Sequence, residues 1–194
     1  MSLPGAKDVL DFWVGQVGEK NWYVASDELD QSVRDRFLPL WEAAMEGRLG
    51  LWLVNPQEAL AYVIIVDQFP RNMFRGDARA FASDPLARAA TKTAIAREWD
   101  LKVPTPERQF FYLPLEHSEN LVDQDRAVRL FKARMPDDGE ALLHARAHRE
   151  QIRRFGRFPT RNGVLRRAST PDEQAFLAEG GYPALVNRMR AVTA

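Results

Sequence analysis

The chain has 194 residues, of which 45% are hydrophobic and 28% are charged, proportions typical of a globular protein with its own core. Basic and acidic residues each number 27, so zero net charge argues against binding nucleic acids or membranes by charge alone. The lack of cysteine excludes disulfides and thiolate metal sites.

Apolar residues at helical spacing predict a first helix over about residues 6–16 and a second over about residues 26–47. Asn55-Pro56-Gln57-Glu58 then forms a capping box before the apolar run 59–66. The run could be a buried strand, but the cap and the lack of a partner strand favour a helix buried on all sides. It is the longest apolar run and is far too short to cross a bilayer, so we expect a cytoplasmic protein without membrane contact.

This buried helix leads into the polar segment Asp67-Gln68-Phe69-Pro70-Arg71-Asn72. Proline disfavours helical geometry in the residue before it, so the phenylalanine should leave the helical path. A buried carboxylate must be paired or protonated. We therefore predict that Asp67 is inaccessible and pairs with Arg71, Arg157 or Arg161.

Further helices are predicted over about residues 84–99 and 106–113. The next helix has an apolar stripe over residues 121–135, and counting back along it places His117 on the same inward face. The second polar segment is Glu116-His117-Ser118-Glu119-Asn120.

A long amphipathic helix ends at the third polar segment, Phe155-Gly156-Arg157-Phe158-Pro159-Thr160-Arg161-Asn162. Its stripe turns His148 inward, with His144 one turn earlier. The glycine can take the left-handed conformation that ends many helices, and the second phenylalanine of the segment should leave the helix because proline follows it.

Thr170-Pro171-Asp172-Glu173 is a second capping box, Gly180-Gly181 should end its helix, and a short last helix is expected over Pro183 to Ala191. No segment alternates as a strand does. About nine helices joined by short loops predict an all-α fold of antiparallel helix pairs in one domain over residues 1–194.

These motifs resemble the bacterial family catalogued as domain of unknown function 924, and they follow the family's order. The resemblance implies an all-helical, tetratricopeptide-like fold and no established activity. The chain departs from the family by having Thr160 where histidine is common and Arg166 where glycine is common, which argues against a mechanism that needs a histidine at position 160. The matching segments are 67–72 with Arg75-Gly76, 111–119, 148–162 and 169–173.

Metal binding is one chemistry to weigh, because His144 and His148 have the i, i+4 spacing that puts two imidazoles on one ion. The protease motif of this spacing has a glutamate after its first histidine, where this chain has Ala145. Asp67, Glu116 or Glu119 could complete a site with His117. With three histidines in all, we expect no metal and no cofactor.

Acid–base catalysis is a second possibility. His117, Ser118 and Glu119 are adjacent and point in different directions, so they cannot form a triad among themselves. A hydrolase would need Asp67 or His148 to join them from another helix. The candidate catalytic residues are Asp67, His117, Glu119 and His148.

Binding is the leading prediction, because residues 144–167 contain eight arginines and one acidic residue. Arginine forks onto carboxylates and phosphates, so we expect an anionic small molecule or a peptide carboxylate rather than nucleic acid. The alternative is that the polar residues only join helix ends within a tetratricopeptide-like scaffold that binds a protein partner. We expect the three polar segments to meet in one pocket. The predicted ligand-binding residues are Gln68, Arg71, Asn72, His117, Glu119, His148, Arg157, Arg161 and Asn162.

Overall fold

The computed structural model describes residues 3–193, and that part of the chain is helical without any β-strand. The predicted all-α class is therefore confirmed. The chain divides into two compact units, Met1–Pro114 and Leu115–Ala194. Within the described residues, no helix combines the length and the apolar character that crossing a bilayer requires.

The first unit contains five α-helices joined by π-helical and 3₁₀ segments. The α-helices are α1 (Ala6–Leu10), α2 (Asp27–Met45), α3 (Pro56–Val63), α4 (Phe69–Met73) and α5 (Asp84–Ala96). The π-helical segments are Asp11–Val17 and Ile64–Gln68. The 3₁₀ segments are Glu19–Asn21, Gly50–Val54, Ala78–Phe81, Asp100–Lys102 and Glu107–Phe111. The short helix α6 (Leu113–Glu116) spans the boundary between the units. The single helix predicted over residues 106–113 is therefore wrong, because the 3₁₀ segment Glu107–Phe111 and the start of α6 occupy this stretch.

The second unit contains four longer helices, and α8 packs against both α7 and α10. These are α7 (Leu121–Arg134), α8 (Gly139–Phe155), α9 (Pro171–Ala178) and α10 (Gly181–Thr193), with a 3₁₀ turn over Pro159–Arg161. The last helix begins at Gly181, two residues before its predicted start. Its proline lies in the first turn, where a missing N–H leaves no helical hydrogen bond unmade.

Polar caps begin α3 and α9 at the predicted positions. The Asn55 side chain accepts a hydrogen bond from the backbone N–H of Glu58 at 3.0 Å. Thr170 and Glu173 form the reciprocal capping box at the start of α9. Each cap satisfies backbone donors that a helix leaves unpaired in its first turn.

The prediction that Phe69 leaves the helical path is wrong. Its φ and ψ are −59° and −39°, so α4 continues directly from the preceding π-helical segment. The backbone N–H of Phe69 donates to the carbonyl oxygen of Ile64, five residues earlier, whereas an α-helix uses the residue four earlier. The α-helical hydrogen-bond pattern begins again after this point. Pro70 therefore occupies the first turn of a new helix, where its lack of an N–H is tolerated.

The second Phe-Pro pair does end a helix, as predicted. Gly156 takes the left-handed conformation (φ 69°) at the end of α8, and Phe158 is extended with φ −88° and ψ 109°. A residue other than glycine is strained at such a positive φ. The two motifs, alike in sequence, thus have different backbones.

The core of the first unit is aromatic and centres on Phe69, which is fully buried. Its ring centroid lies 4.8 Å from that of Phe37 and 5.4 Å from that of Trp13. Burial of each such side chain contributes roughly 1.5–3 kcal/mol to folding. The second unit has a smaller cluster, in which Leu143 and Ala147 of α8 pack with Val186 of α10.

Candidate functional site

In the first unit, Asp67 is 1% exposed and pairs with Arg71, as predicted. The Arg71 Nη1 atom lies 3.3 Å from Asp67 Oδ1, and its Nη2 atom lies 3.0 Å from Asp84 Oδ1. Gln68 also donates to the Asp67 carboxylate. This arginine therefore neutralises two carboxylates of its own unit, and its role there is structural.

Asn72 belongs to a second internal network, which joins α4 to α2. Its Nδ2 atom donates to Asp30 Oδ1 at 2.7 Å, and Arg75 forks onto the same carboxylate at 2.6 and 2.9 Å. Burial acts to raise the pKa of Asp30, but the hydrogen bonds from Arg75 and Asn72 hold it below its usual value.

In the second unit, Arg157 and Asn162 converge on Glu173. Arg157 forks onto this carboxylate at 2.6 and 2.8 Å, and Asn162 Nδ2 donates to it at 3.2 Å. The backbone N–H of Thr170 adds a hydrogen bond of 2.8 Å. The Arg157 guanidinium is the main reason that the pKa of Glu173 falls to about 2. This network fastens the segment after α8 to the start of α9.

Glu119 is held by Arg167, a residue that the sequence motifs did not single out. The guanidinium forks onto the carboxylate at 2.7 and 2.9 Å, and the backbone N–H of Phe158 donates to the same group at 2.8 Å. Burial opposes ionisation, yet these donors hold the pKa of Glu119 below its usual value. Glu119 therefore fixes the turn that carries Phe158.

A histidine cluster, defined as Glu116, His117, His144, His148 and Tyr182, lies beside this turn. His148 Nδ1 is 2.8 Å from Glu116 Oε1, 2.9 Å from the backbone oxygen of His144 and 3.2 Å from the Tyr182 hydroxyl. The same hydroxyl is 2.5 Å from His144 Nδ1. Burial lowers the pKa of His144 and raises that of Tyr182, so both groups favour their neutral forms.

These contacts determine the tautomer of His148. Glu116 Oε1 and the His144 carbonyl oxygen are both acceptors, so the proton belongs on Nδ1. In the neutral ring, Nε2 is then the nitrogen that can accept a proton or a hydrogen bond from a ligand. The carboxylate–imidazole contact is the arrangement by which enzymes orient a general base.

Glu116 is itself 3% exposed, and its second oxygen, Oε2, has no hydrogen-bond partner among residues 3–193. An unpartnered buried carboxylate oxygen is costly, so it calls for an explanation such as a bound water, a bound ligand or a catalytic role. The sequence pattern did not predict this role, because Glu116 comes at the end of a buried apolar segment that contains a proline.

Phe158 connects the histidine cluster to Arg161. The ring centroid of Phe158 lies 5.6 Å from that of His148, and the Arg161 guanidinium carbon lies 4.4 Å from the Phe158 centroid. Arg161 Nη2 also donates to the backbone oxygen of His117 at 3.0 Å. The His117 and His148 rings are 6.2 Å apart. One imidazole and one guanidinium thus contact the same aromatic ring, and the second imidazole lies beside the first.

His117 reaches this position from a turn and not from a helix. It lies between α6 and α7, so the inward-facing stripe of α7 does not extend back to it as predicted. Asn120 begins α7 by accepting a hydrogen bond from the backbone N–H of Val122, which starts the helix after the histidine.

The predicted site residues are divided between the two units, and their convergence in one pocket stays a prediction. Asp67, Gln68, Arg71 and Asn72 belong to the first unit, and the second unit holds His117, Glu119, His148, Arg157, Arg161 and Asn162. Glu116 entered the sequence analysis only as a possible metal ligand, and Tyr182 and Arg167 were missed. Across the described part of the chain, no three His, Asp or Glu side chains are arranged to hold a metal ion.

Comparisons with known proteins agree with this architecture. The model of the family described as "Bacterial protein of unknown function (DUF924)" matches residues 9–181. A solved structure of a protein of unknown function, ATU0120 from Agrobacterium tumefaciens, is similar at 42% sequence identity and a TM-score of 0.85. The alignment covers 90% of this chain and 97% of that one. A search of curated proteins found no match.

Proposed function

Because the chain belongs to the bacterial DUF924 family, whose function is unknown, we propose a function from its own geometry: it binds a small anionic molecule or a peptide carboxylate in its C-terminal unit. The residues that would contact the ligand are Arg161, His117 and His148. The observation that carries the proposal is the placement of Arg161 and His148 against the same ring of Phe158.

The support for Arg161 as the anion-binding group is geometric. Stacking on Phe158 and the hydrogen bond to the His117 carbonyl hold the guanidinium in one orientation. A guanidinium has five N–H donors in a fixed plane, a geometry that matches the oxygens of a carboxylate or phosphate. Because the side chain is already oriented, it loses less conformational entropy when the ligand binds.

The other arginines in the predicted site have a supporting role in this proposal. Arg71 pairs with Asp67 and Asp84, and Arg157 pairs with Glu173. Their charges are already compensated inside the protein, and transferring them to a ligand would leave buried carboxylates unpaired. The proposal therefore assigns Arg71 and Arg157 to these internal pairs, and it selects Arg161 for its contact with Phe158 beside His148.

A thermal-shift titration with phosphate, sulfate and N-acetylglycine tests the proposal, with N-acetylglycinamide as the neutral analogue of the peptide carboxylate. Binding to the folded state alone raises the melting temperature with ligand concentration. We expect N-acetylglycine or an inorganic anion to raise it and the neutral amide to leave it unchanged. Imidazole signals of His117 and His148 should shift in NMR spectra over the same concentration range.

Arg161→Gln should abolish the shift while the variant remains folded. Arg153→Gln is the matched control, because Arg153 is exposed and pairs with Glu150 on the same helix. Equal loss in both variants would indicate a general charge effect and would contradict the proposed site. An unchanged melting temperature with every anion would leave the helical, tetratricopeptide-like scaffold that binds a protein partner as the better function.

Acid–base catalysis is the second candidate function, and the Glu116–His148 contact favours it. The Ser118 hydroxyl donates to Asp123 at 2.9 Å and is buried, so it is poorly placed to act as a nucleophile. The nucleophile would be a water molecule activated by His148 Nε2. Hydrolysis of activated carboxylic and phosphate esters that disappears in His148→Gln and Glu116→Ala, but persists in Arg153→Gln, would support it.

A further inference from the structure

We propose that the first unit carries a separate binding site for a small aliphatic ammonium ion, in a cleft of about 340 Å³ between the π-helical segment 11–17, helix α3 and the segment 103–107. This volume is at the lower end of the range for small-molecule pockets. The cleft shares no residue with the anion site proposed above, so either proposal can fail without the other.

The cleft combines apolar walls with acidic groups. Its apolar lining comes from Leu10, Val14, Leu60, Val103 and Pro104. Its polar lining consists of Asp11, Gln57 and Glu107, and the lining contains no lysine or arginine. An apolar pocket with few polar groups, all of them acidic or neutral, suits a ligand with an aliphatic body and a cationic head.

Glu107 provides the polar group that a cationic head would meet. Its Oε2 atom is buried and has no hydrogen-bond partner among the residues described. The side chain as a whole is part-exposed, so an ammonium group in the cleft would form a charge-assisted hydrogen bond with the accessible part of the carboxylate. Asp11, whose carboxylate pairs with the exposed Lys7, adds a second negative group at the more exposed side of the cleft.

Gly15 is one of the residues that line the cleft. A Cβ atom built on this glycine would meet nothing within 4 Å apart from its chain neighbours and its own helix backbone. Gly15 lies on a π-helical segment, a widened form of helix that is frequent at functional sites. A larger side chain at this position would therefore project into free space and obstruct the cleft without a steric clash at its Cβ.

Three six-carbon probes separate charge from apolar contact: hexylamine, hexanol and hexanoate. Binding is followed in the full-length protein by NMR shifts of the Gly15, Leu60 and Val103 backbone amides. We expect saturable shifts with hexylamine, weaker shifts with hexanol and none with hexanoate. Equal affinity for hexylamine and hexanol, or shifts confined to residues outside the cleft, would overturn the proposal.

Two variants sharpen the test. Glu107→Gln should weaken hexylamine binding by about tenfold or more, as expected for loss of a charge-assisted hydrogen bond, and leave hexanol binding unchanged. Gly15→Leu should abolish binding of both, whereas Gly139→Leu, at another glycine with open space around it, should bind normally. Unchanged hexylamine affinity in Glu107→Gln would contradict the assigned role.

The stability of Glu107→Gln gives an independent check that does not require a ligand. Since the native carboxylate oxygen has no partner, removing its charge should leave the urea midpoint equal to that of the wild type or higher. A clear fall in the midpoint would show that the carboxylate is needed by the fold, and the proposed ligand role would then be wrong.

Discussion

Glu116 and His148 are joined through atoms 2.8 Å apart, Oε1 and Nδ1, while the second oxygen of the glutamate is buried without a hydrogen-bond partner among residues 3–193. One oxygen of this carboxylate thus orients an imidazole, and the other accepts no hydrogen bond from the described residues. A purely structural ion pair would satisfy both oxygens. The asymmetry favours a functional role for the pair.

Glu116→Gln and Glu116→Ala should differ in their effects on stability. A glutamine can still accept the hydrogen bond from His148 Nδ1, so we expect Glu116→Gln to lie within about 1 kcal/mol of wild type. Alanine leaves the imidazole N–H without this acceptor and opens space, and should cost roughly 2–4 kcal/mol. Urea denaturation at pH 7 measures both, and equal losses would mean that the hydrogen bond contributes little.

Tyr182→Phe should change the imidazole hydrogen bonding of the histidine cluster with little effect on packing. The phenyl ring keeps the apolar contacts, while the hydroxyl that lies between His144 and His148 is removed. We expect a loss of roughly 0.5–1.5 kcal/mol, the usual contribution of one hydrogen bond. The 15N shifts of the imidazoles, which report the tautomer, should change at His144 and His148 and remain the same at His117.

Local signals in the sequence predicted the helices and their caps well, because Asn55 and Thr170 need only neighbouring backbone N–H groups to act. The Phe-Pro pairs show the limit of such reasoning. Both contain the same two residues, yet Phe69 stays helical because a π-helical segment precedes it, whereas Phe158 follows a left-handed glycine. The π-helical segment before Phe69 lies in an aromatic core. Residue spacing in the sequence does not show how that core packs.

The sequence predicted many of the polar residues in the candidate site, but it predicted few of the pairs that they form. The sequence predicted the arginines and asparagines because they follow helix-ending motifs. It predicted the inward position of His148 because the residue lies on the apolar stripe of its helix. It did not predict their partners, since Glu116, Arg167 and Tyr182 are distant from one another along the chain and carry no motif. Of the pairs proposed from the sequence, Asp67 with Arg71 is confirmed because the two lie one helical turn apart.

Asp67→Ala should be among the most damaging single changes to a polar residue. The Asp67 side chain is 1% exposed. Its loss removes one of the two carboxylates that pair with Arg71 and leaves the pair with Asp84. Breaking a buried ion pair costs roughly 3–5 kcal/mol, and urea denaturation measures it. The control is Glu46→Ala, because its exposed pair with Arg48 should contribute almost nothing measurable. A small effect at both positions would contradict the structural role assigned to Asp67.

Glu173 should make the stability of the second unit dependent on acid pH. Its pKa in the folded protein is about 2, below the usual value of 4.5, because Arg157, Thr170 and Asn162 all donate to its carboxylate. For a depressed pKa, the stabilisation is fully present above pH 4.5 and is lost as the pH falls through the folded value near 2.

A comparison of wild type with Glu173→Gln isolates this effect from other acidic residues. Glutamine does not ionise and loses the charge pairing with Arg157, so the variant should be less stable than wild type at pH 7. The difference in urea midpoint should narrow between pH 4.5 and pH 2, because the wild-type carboxylate is protonated over that window. Glu42→Gln, at an exposed position of α2, should show no such pH-dependent difference. The prediction would be contradicted if the midpoint difference between wild type and Glu173→Gln stayed constant from pH 7 to pH 2. Arg157 would then be held mainly by hydrogen bonds that do not depend on the charge of Glu173.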